Sequence, residues 1–175
     1  IVATQIISNS GALTSVNNRQ VFGGGIRVVD SGVVTVTDST IRGNTMILNH
    51  GVIAVAEGGG IAVDRDAGQL ALVNTIISQN EPDGLILGRY NAMSGPRVSI
   101  KSSQISENIG DGLMGRGDAT ITQSSIQQNS QAGVNLYGDV TLQDSVISDN
   151  GAFGLDALDI LIKHSQVENN NGYGV

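Results

Sequence analysis

The chain predicts an all-β solenoid, a right-handed parallel β-helix of about seven coils wound from a single strand of chain. Three observations predict it. The pattern Ser/Thr-x-Ile-x-x-Asn, with Val for Ile in its last copy, recurs seven times. Aliphatic residues alternate with polar ones at period two before each copy, as in Val34-x-Val36 and Val140-x-Leu142. A glycine followed by an aliphatic residue comes after each copy, from Gly25-Ile26 to Gly174-Val175.

The asparagines of the pattern are Asn9, Asn44, Asn80, Asn108, Asn129, Asn150 and Asn170, with gaps of 35, 36, 28, 21, 21 and 20 residues. Aligned on them, the hydroxyl column reads Thr4, Ser39, Thr75, Ser103, Ser124, Ser145, Ser165, and aliphatic columns stand on either side of it. A helical solenoid is excluded, because period-two alternation, β-branched residues and frequent Gly and Asn all oppose helix. A leucine-rich repeat is excluded because its Leu-x-x-Leu-x-Leu-x-x-Asn pattern is missing. In stacked coils about 4.8 Å apart, every column becomes a row of like residues along the axis. The aliphatic rows form the core, each buried side chain contributing roughly 1.5–3 kcal/mol. The asparagines are expected at a bend, where Asn tolerates left-handed backbone and its amide pairs with the next Asn in a ladder. The glycines are expected at a second bend that needs positive φ or close approach. The hydroxyl column, present in every coil, reads as packing and hydrogen bonding and not as nucleophiles.

Composition agrees. Only 3% of the 175 residues are aromatic and 14% charged, with 24 glycines and two prolines. That suits a narrow aliphatic core and is unlike a disordered chain. A net charge of −7 disfavours nucleic acid, which needs a cationic surface. The absence of cysteine excludes disulfides and thiolate chemistry. No apolar run reaches the roughly 18 residues of a membrane span. Both ends read like the middle of a repeat, so 1–175 is expected to be one domain within a longer solenoid, with open ends able to associate end to end. The long gaps are read as insertions at 10–24, 45–59 and 88–96, the first two projecting from neighbouring coils on one side.

The segment Val36-Thr37-Asp38-Ser39-Thr40-Ile41-Arg42-Gly43-Asn44 and the Gly-Gly-Gly-Ile runs ending at Ile26 and Ile61 resemble the right-handed β-helix repeats of bacterial secreted and surface proteins. They are also similar to the carbohydrate-active β-helices related to pectate lyases and alginate epimerases. The resemblance covers the whole chain. It implies an extracellular or cell-surface segment, structural or adhesive, with polysaccharide or a cell-surface partner as its target. The alternative it implies is a lyase or epimerase of uronic-acid polymers, or its substrate-binding part.

Enzymes of that kind gather Asp, Arg, Lys, His or Tyr on one exposed strand face. The outward column Arg27, Ala62, Ile86, Met114, Asn135, Asp156 is not such an array, and no Asp-Pro-His triplet occurs. No catalytic residue is therefore assigned. Asp118, Asp139 and Asp159 share a column, with Asp30, Asp64 and Asp66 at equivalent places and Arg65, Arg89 and Arg116 nearby. They are weak candidates for a Ca²⁺ stripe; the favoured reading is turn aspartates capping local amides. His164 aligns with Asp144 as a cross-coil pair, while His50 falls in the second insertion. Phe153 and Tyr173 share a column and are expected to stack, leaving Tyr90 and Tyr137 as exposed rings.

Overall fold

A computed structural model describes residues 1–13, 20–22, 24–29, 33–48, 55–64, 68–88 and 95–175. These form a parallel β-solenoid, with no helix among the described residues. Three long sheets run along the axis. The first stacks Ile26–Val28, Ile61–Val63, Leu85–Leu87, Leu113–Gly115, Val134–Leu136 and Leu155–Asp156. The second stacks Val33–Thr37, Gln69–Val73, Arg97–Lys101, Asp118–Thr122, Val140–Gln143 and Ile160–Lys163. The third has seven strands: Gln5–Ile7, Thr40–Arg42, Ile76–Ser78, Gln104–Ser106, Ser125–Gln127, Val146–Ser148 and Gln166–Glu168. Six complete coils thus follow one partial coil.

Each coil has three strands, where the sequence pattern showed two. The additional strand is the Gly–aliphatic segment, whose two or three paired residues are too few to display a period of two. Pairing is parallel and in register, so the sequence columns become physical rows: Ile77 pairs with Ile41 and Ile105, and Leu72 with Val36 and Ile100. The inward rows are buried, with Val36, Ile41, Leu72, Ile77, Ile105, Ile126 and Leu142 all at 0% exposure. They form one continuous aliphatic core from Val28 to Leu155.

The sharp corners rest on two left-handed residues per coil. One precedes the hydroxyl: Ala3, Asp38, Asn74, Ser102, Gln123, Asp144 and His164, at φ between 45° and 51°. The other precedes the asparagine: Ser8, Gly43, Gln79, Glu107, Gln128, Asp149 and Asn169. The expectation that the ladder asparagines themselves take left-handed backbone is thereby corrected. The bend falls one residue earlier, which turns the asparagine side chain inward.

The glycine column is held by close approach and not by positive φ. A Cβ on Gly112 would lie 2.7 Å from the Gly133 carbonyl, 2.8 Å from the Asn129 amide nitrogen and 2.8 Å from Ile126 Cγ2. The same arrangement recurs at Gly84 with Gly112, Asn108 and Ile105. Within the stretches read as the first two insertions, Ser10–Leu13 pairs in parallel with Thr45–Leu48, and Gln20–Phe22 with Val55–Glu57. Excursions from neighbouring coils therefore stack on each other and extend the solenoid's own geometry. Residues 14–19, 23, 49–54 and 89–94 of the three insertions lie outside the described residues.

Two glycine substitutions separate these requirements. Gly112→Ala should destabilise by roughly 2 kcal/mol, since backbone and core must shift to admit the methyl group. Gly43 has a φ of 63°, and a Cβ there would meet only Ser8 Oγ, at 3.5 Å. Gly43→Asn should therefore cost only the backbone strain of about 1 kcal/mol, less than Gly112→Ala. Urea unfolding followed by circular dichroism measures both.

Candidate recognition groove

The asparagine ladder is the polar core of the coil. Each side-chain Nδ2 donates to the Oδ1 of the next asparagine along the row from Asn9 to Asn170, at 2.8–3.0 Å. Each main-chain N–H donates to that same Oδ1 at 3.0–3.1 Å. The second amide hydrogen goes back to a core isoleucine carbonyl, as from Asn129 to Ile105 at 3.4 Å and from Asn80 to Ile41 at 3.2 Å. Asn44, Asn80, Asn108, Asn129 and Asn150 are 0–1% exposed, so every buried donor and acceptor of these amides is paired. The hydroxyl column makes a parallel ladder. Ser124 Oγ accepts from Ser103 N at 3.1 Å and donates to the Thr122 carbonyl at 2.8 Å. Ser145 does the same with Ser124 N and Gln143.

Above the hydroxyl ladder, the left-handed residues stand out at the corner between the second and third sheets. Asn74, Ser102, Gln123, Asp144 and His164 are all exposed. Holding a residue with a Cβ in this conformation costs about 1 kcal/mol, which glycine would avoid. The corner is concave. One open groove of about 550 Å³ runs from Asn74 to Asp144, and a second of about 460 Å³ continues from Asp144 to His164. The hydroxyl column forms the floor, while Ile76, Gln104, Ser125, Val146 and Gln166 form the far wall. The result is a shallow polar trough parallel to the axis, spanning five coils.

His164 and Asp144 do meet across coils, Nδ1 to Oδ1 at 3.6 Å, at the C-terminal end of this trough. Asn74 Nδ2 donates to Asp38 Oδ1 at 2.6 Å at the other end. The column Asp118, Asp139, Asp159 lies elsewhere, at the edge of the second sheet. There Asp118 Oδ1 accepts the Asp139 N–H at 3.2 Å, and its Oδ2 lies 3.5 Å from Arg97 Nε. That is amide capping with a neutralising cation. Among the described residues, no group of three or more His, Cys, Asp or Glu side chains is placed to hold a metal ion. Asp64 pairs with Arg27 at 2.8 Å. Asp30, Asp66, Arg65, Arg89, Tyr90 and His50 lie outside the described residues.

The outward column of the first sheet is not uniformly exposed. Ala62 and Ile86 are buried, with Gly58 of the second insertion lying against both, whereas Arg27 and Asp156 are exposed. Phe153 and Tyr173 stack with ring centroids 5.1 Å apart and planes 7° from parallel. The Arg116 guanidinium lies 5.1 Å from the centre of the half-exposed Tyr137 ring. Sequence reading passed over Asp83 and Asp111, both buried beside the glycine column. Asp83 Oδ1 accepts from Asp111 N at 2.8 Å, and Asp111 Oδ1 from Ala132 N at 2.8 Å. Burial pushes the Asp111 carboxyl above its ordinary value, against the lowering effect of the bonds from Ala132 and Asn135. Their position just before Gly84 and Gly112 was the available signal.

Stacked parallel strands joined by side-chain ladders define a parallel β-solenoid protein. A family model described as the right-handed β-helix region matches residues 59–175, more than half of the chain. The chain belongs to this right-handed β-helix family, which supplies the hand of its coils. Neither the curated proteins nor the solved structures gave a match. No helix among the described residues is long and apolar enough to cross a membrane.

Two measurements test the polar interior. Asn129→Ala strands the Asn108 N–H and amide without acceptors and should cost about 3 kcal/mol, whereas exposed Asn9→Ala should cost below about 1 kcal/mol because water replaces it. For Asp111, a folded-state pKa above the unfolded one means a contribution to stability that is full at low pH and lost as pH rises through the folded value. Asp111→Asn, which keeps an acceptor for Ala132, should therefore raise the Tm at pH 7 and leave it unchanged near pH 3.

Proposed function

We propose that this chain is a non-catalytic, structural and adhesive segment of an extracellular or cell-surface bacterial protein, which binds carbohydrate along the corner groove. The observation that carries the reading is that groove, a five-coil polar trough on a scaffold whose own ladders are already saturated. Its exposed outward side chains are not needed by those ladders and are available for recognition, as is usual for surface features held on a rigid frame. Carboxamides and hydroxyls in a shallow open trough suit the hydroxyls of a glycan, and a stiff solenoid suits a spacer.

Incubation with alginate, polygalacturonate and related uronates, followed by absorbance of unsaturated products, tests the non-catalytic part. The expected outcome is no product at any pH between 5 and 9, with or without added Ca²⁺. Sustained product formation would replace this reading with that of a lyase.

A further inference from the structure

The charge and polarity of the groove select the kind of glycan, an inference that rests on the carbohydrate-binding reading above. We infer that the groove takes a neutral linear polysaccharide lying parallel to the solenoid axis, and that polyuronates are excluded from it. Three observations carry this.

None of the groove's described lining residues is a lysine or arginine, whereas Asp144 stands at the junction of its two halves. Asp38 borders the Asn74 end, where it accepts the Asn74 amide. A polyanion entering the trough would meet carboxylates, and the one basic side chain of the lining, His164, already faces Asp144, on a chain of net charge −7. Neutral hydroxyls meet no such penalty.

The wall alternates in character along the axis. Ile76 is 42% exposed and Val146 half-buried, while Gln104, Ser125 and Gln166 lie between or beyond them. Apolar patches beside carboxamides match a sugar ring, whose C–H face is apolar and whose equatorial groups donate and accept hydrogen bonds. The rungs repeat at about 4.8 Å along the axis. A straight polymer whose units have nearly that length keeps similar contacts over successive coils, whereas a polymer crossing the axis meets only one.

The third observation is strain. Asn74, Ser102, Gln123, Asp144 and His164 keep side chains at left-handed positions where glycine would be relaxed, as Gly43 is in the other left-handed row, before Asn44. Asn74 and the Asp144–His164 pair have cross-coil partners in this row. In the middle of the trough, Ser102 and Gln123 line the groove, so glycine at either position would relax the backbone and strip the groove surface at once.

That difference supplies a test in which folding and binding move in opposite directions. Ser102→Gly and Gln123→Gly relieve backbone strain while removing groove side chains. With the full chain, isothermal titration of cellohexaose, mannohexaose and hexagalacturonate should show binding of at least one neutral hexaose and none of hexagalacturonate. The double variant should keep or raise the Tm while weakening the neutral hexaose about tenfold. Tight binding of hexagalacturonate alone would overturn the inference and leave the carbohydrate reading standing. Neutral binding unchanged in the double variant would overturn the assignment to this groove. Binding of none of the three hexaoses would overturn both the inference and the reading beneath it.

Discussion

The buried asparagine row is the constraint on which the rest of the molecule depends. A side-chain amide at zero exposure must have all its donors and acceptors met, and here asparagines one coil away and a core isoleucine carbonyl meet them. The requirement passes from Asn9 to Asn170 without interruption. It also dictates the glycines, because the amide of the adjacent coil occupies the space where a Cβ on Gly84, Gly112 or Gly133 would go. Ladder and glycine row are two halves of one contact. A side chain in the glycine row breaks the ladder beside it.

The same contact explains how the chain tolerates long excursions. The first two insertions fall between the asparagine and the glycine, so each end of these excursions remains pinned: Asn9 to Asn44 on one side, Gly25 to Gly59 on the other. The extra residues leave the solenoid at a point where the coil register is already fixed, and the two excursions then pair with each other. Burial of Ile86, an outward residue, follows from that arrangement.

Because hydrogen bonding at the corners is satisfied by the asparagine and hydroxyl rows, the residues outside them carry few structural duties. The left-handed positions vary among Ala, Gly, Ser, Asp, Asn, Glu, Gln and His while their backbone stays constant. With the inner row saturated, the outer row can vary without loss of the ladders. The groove is the concave part of that outer row.

Periodicity made the solenoid, its inward rows, the asparagine ladder, the Phe153–Tyr173 stack and the Asp144–His164 pair legible in the sequence, since residues at equal phase must stack. What the sequence left open depends on atoms from other coils. It did not reveal that the bend precedes the asparagine, because Asn and its neighbours Gln, Glu and Asp all tolerate turns. Nor did it show that the glycines answer to close packing, that Asp83 and Asp111 are buried, or that the corner between the second and third sheets is concave. The repeat determined which residues share a row. Only the tertiary structure decided what each row faces, because facing is set by the neighbouring coil and the curvature between sheets, which no single repeat contains.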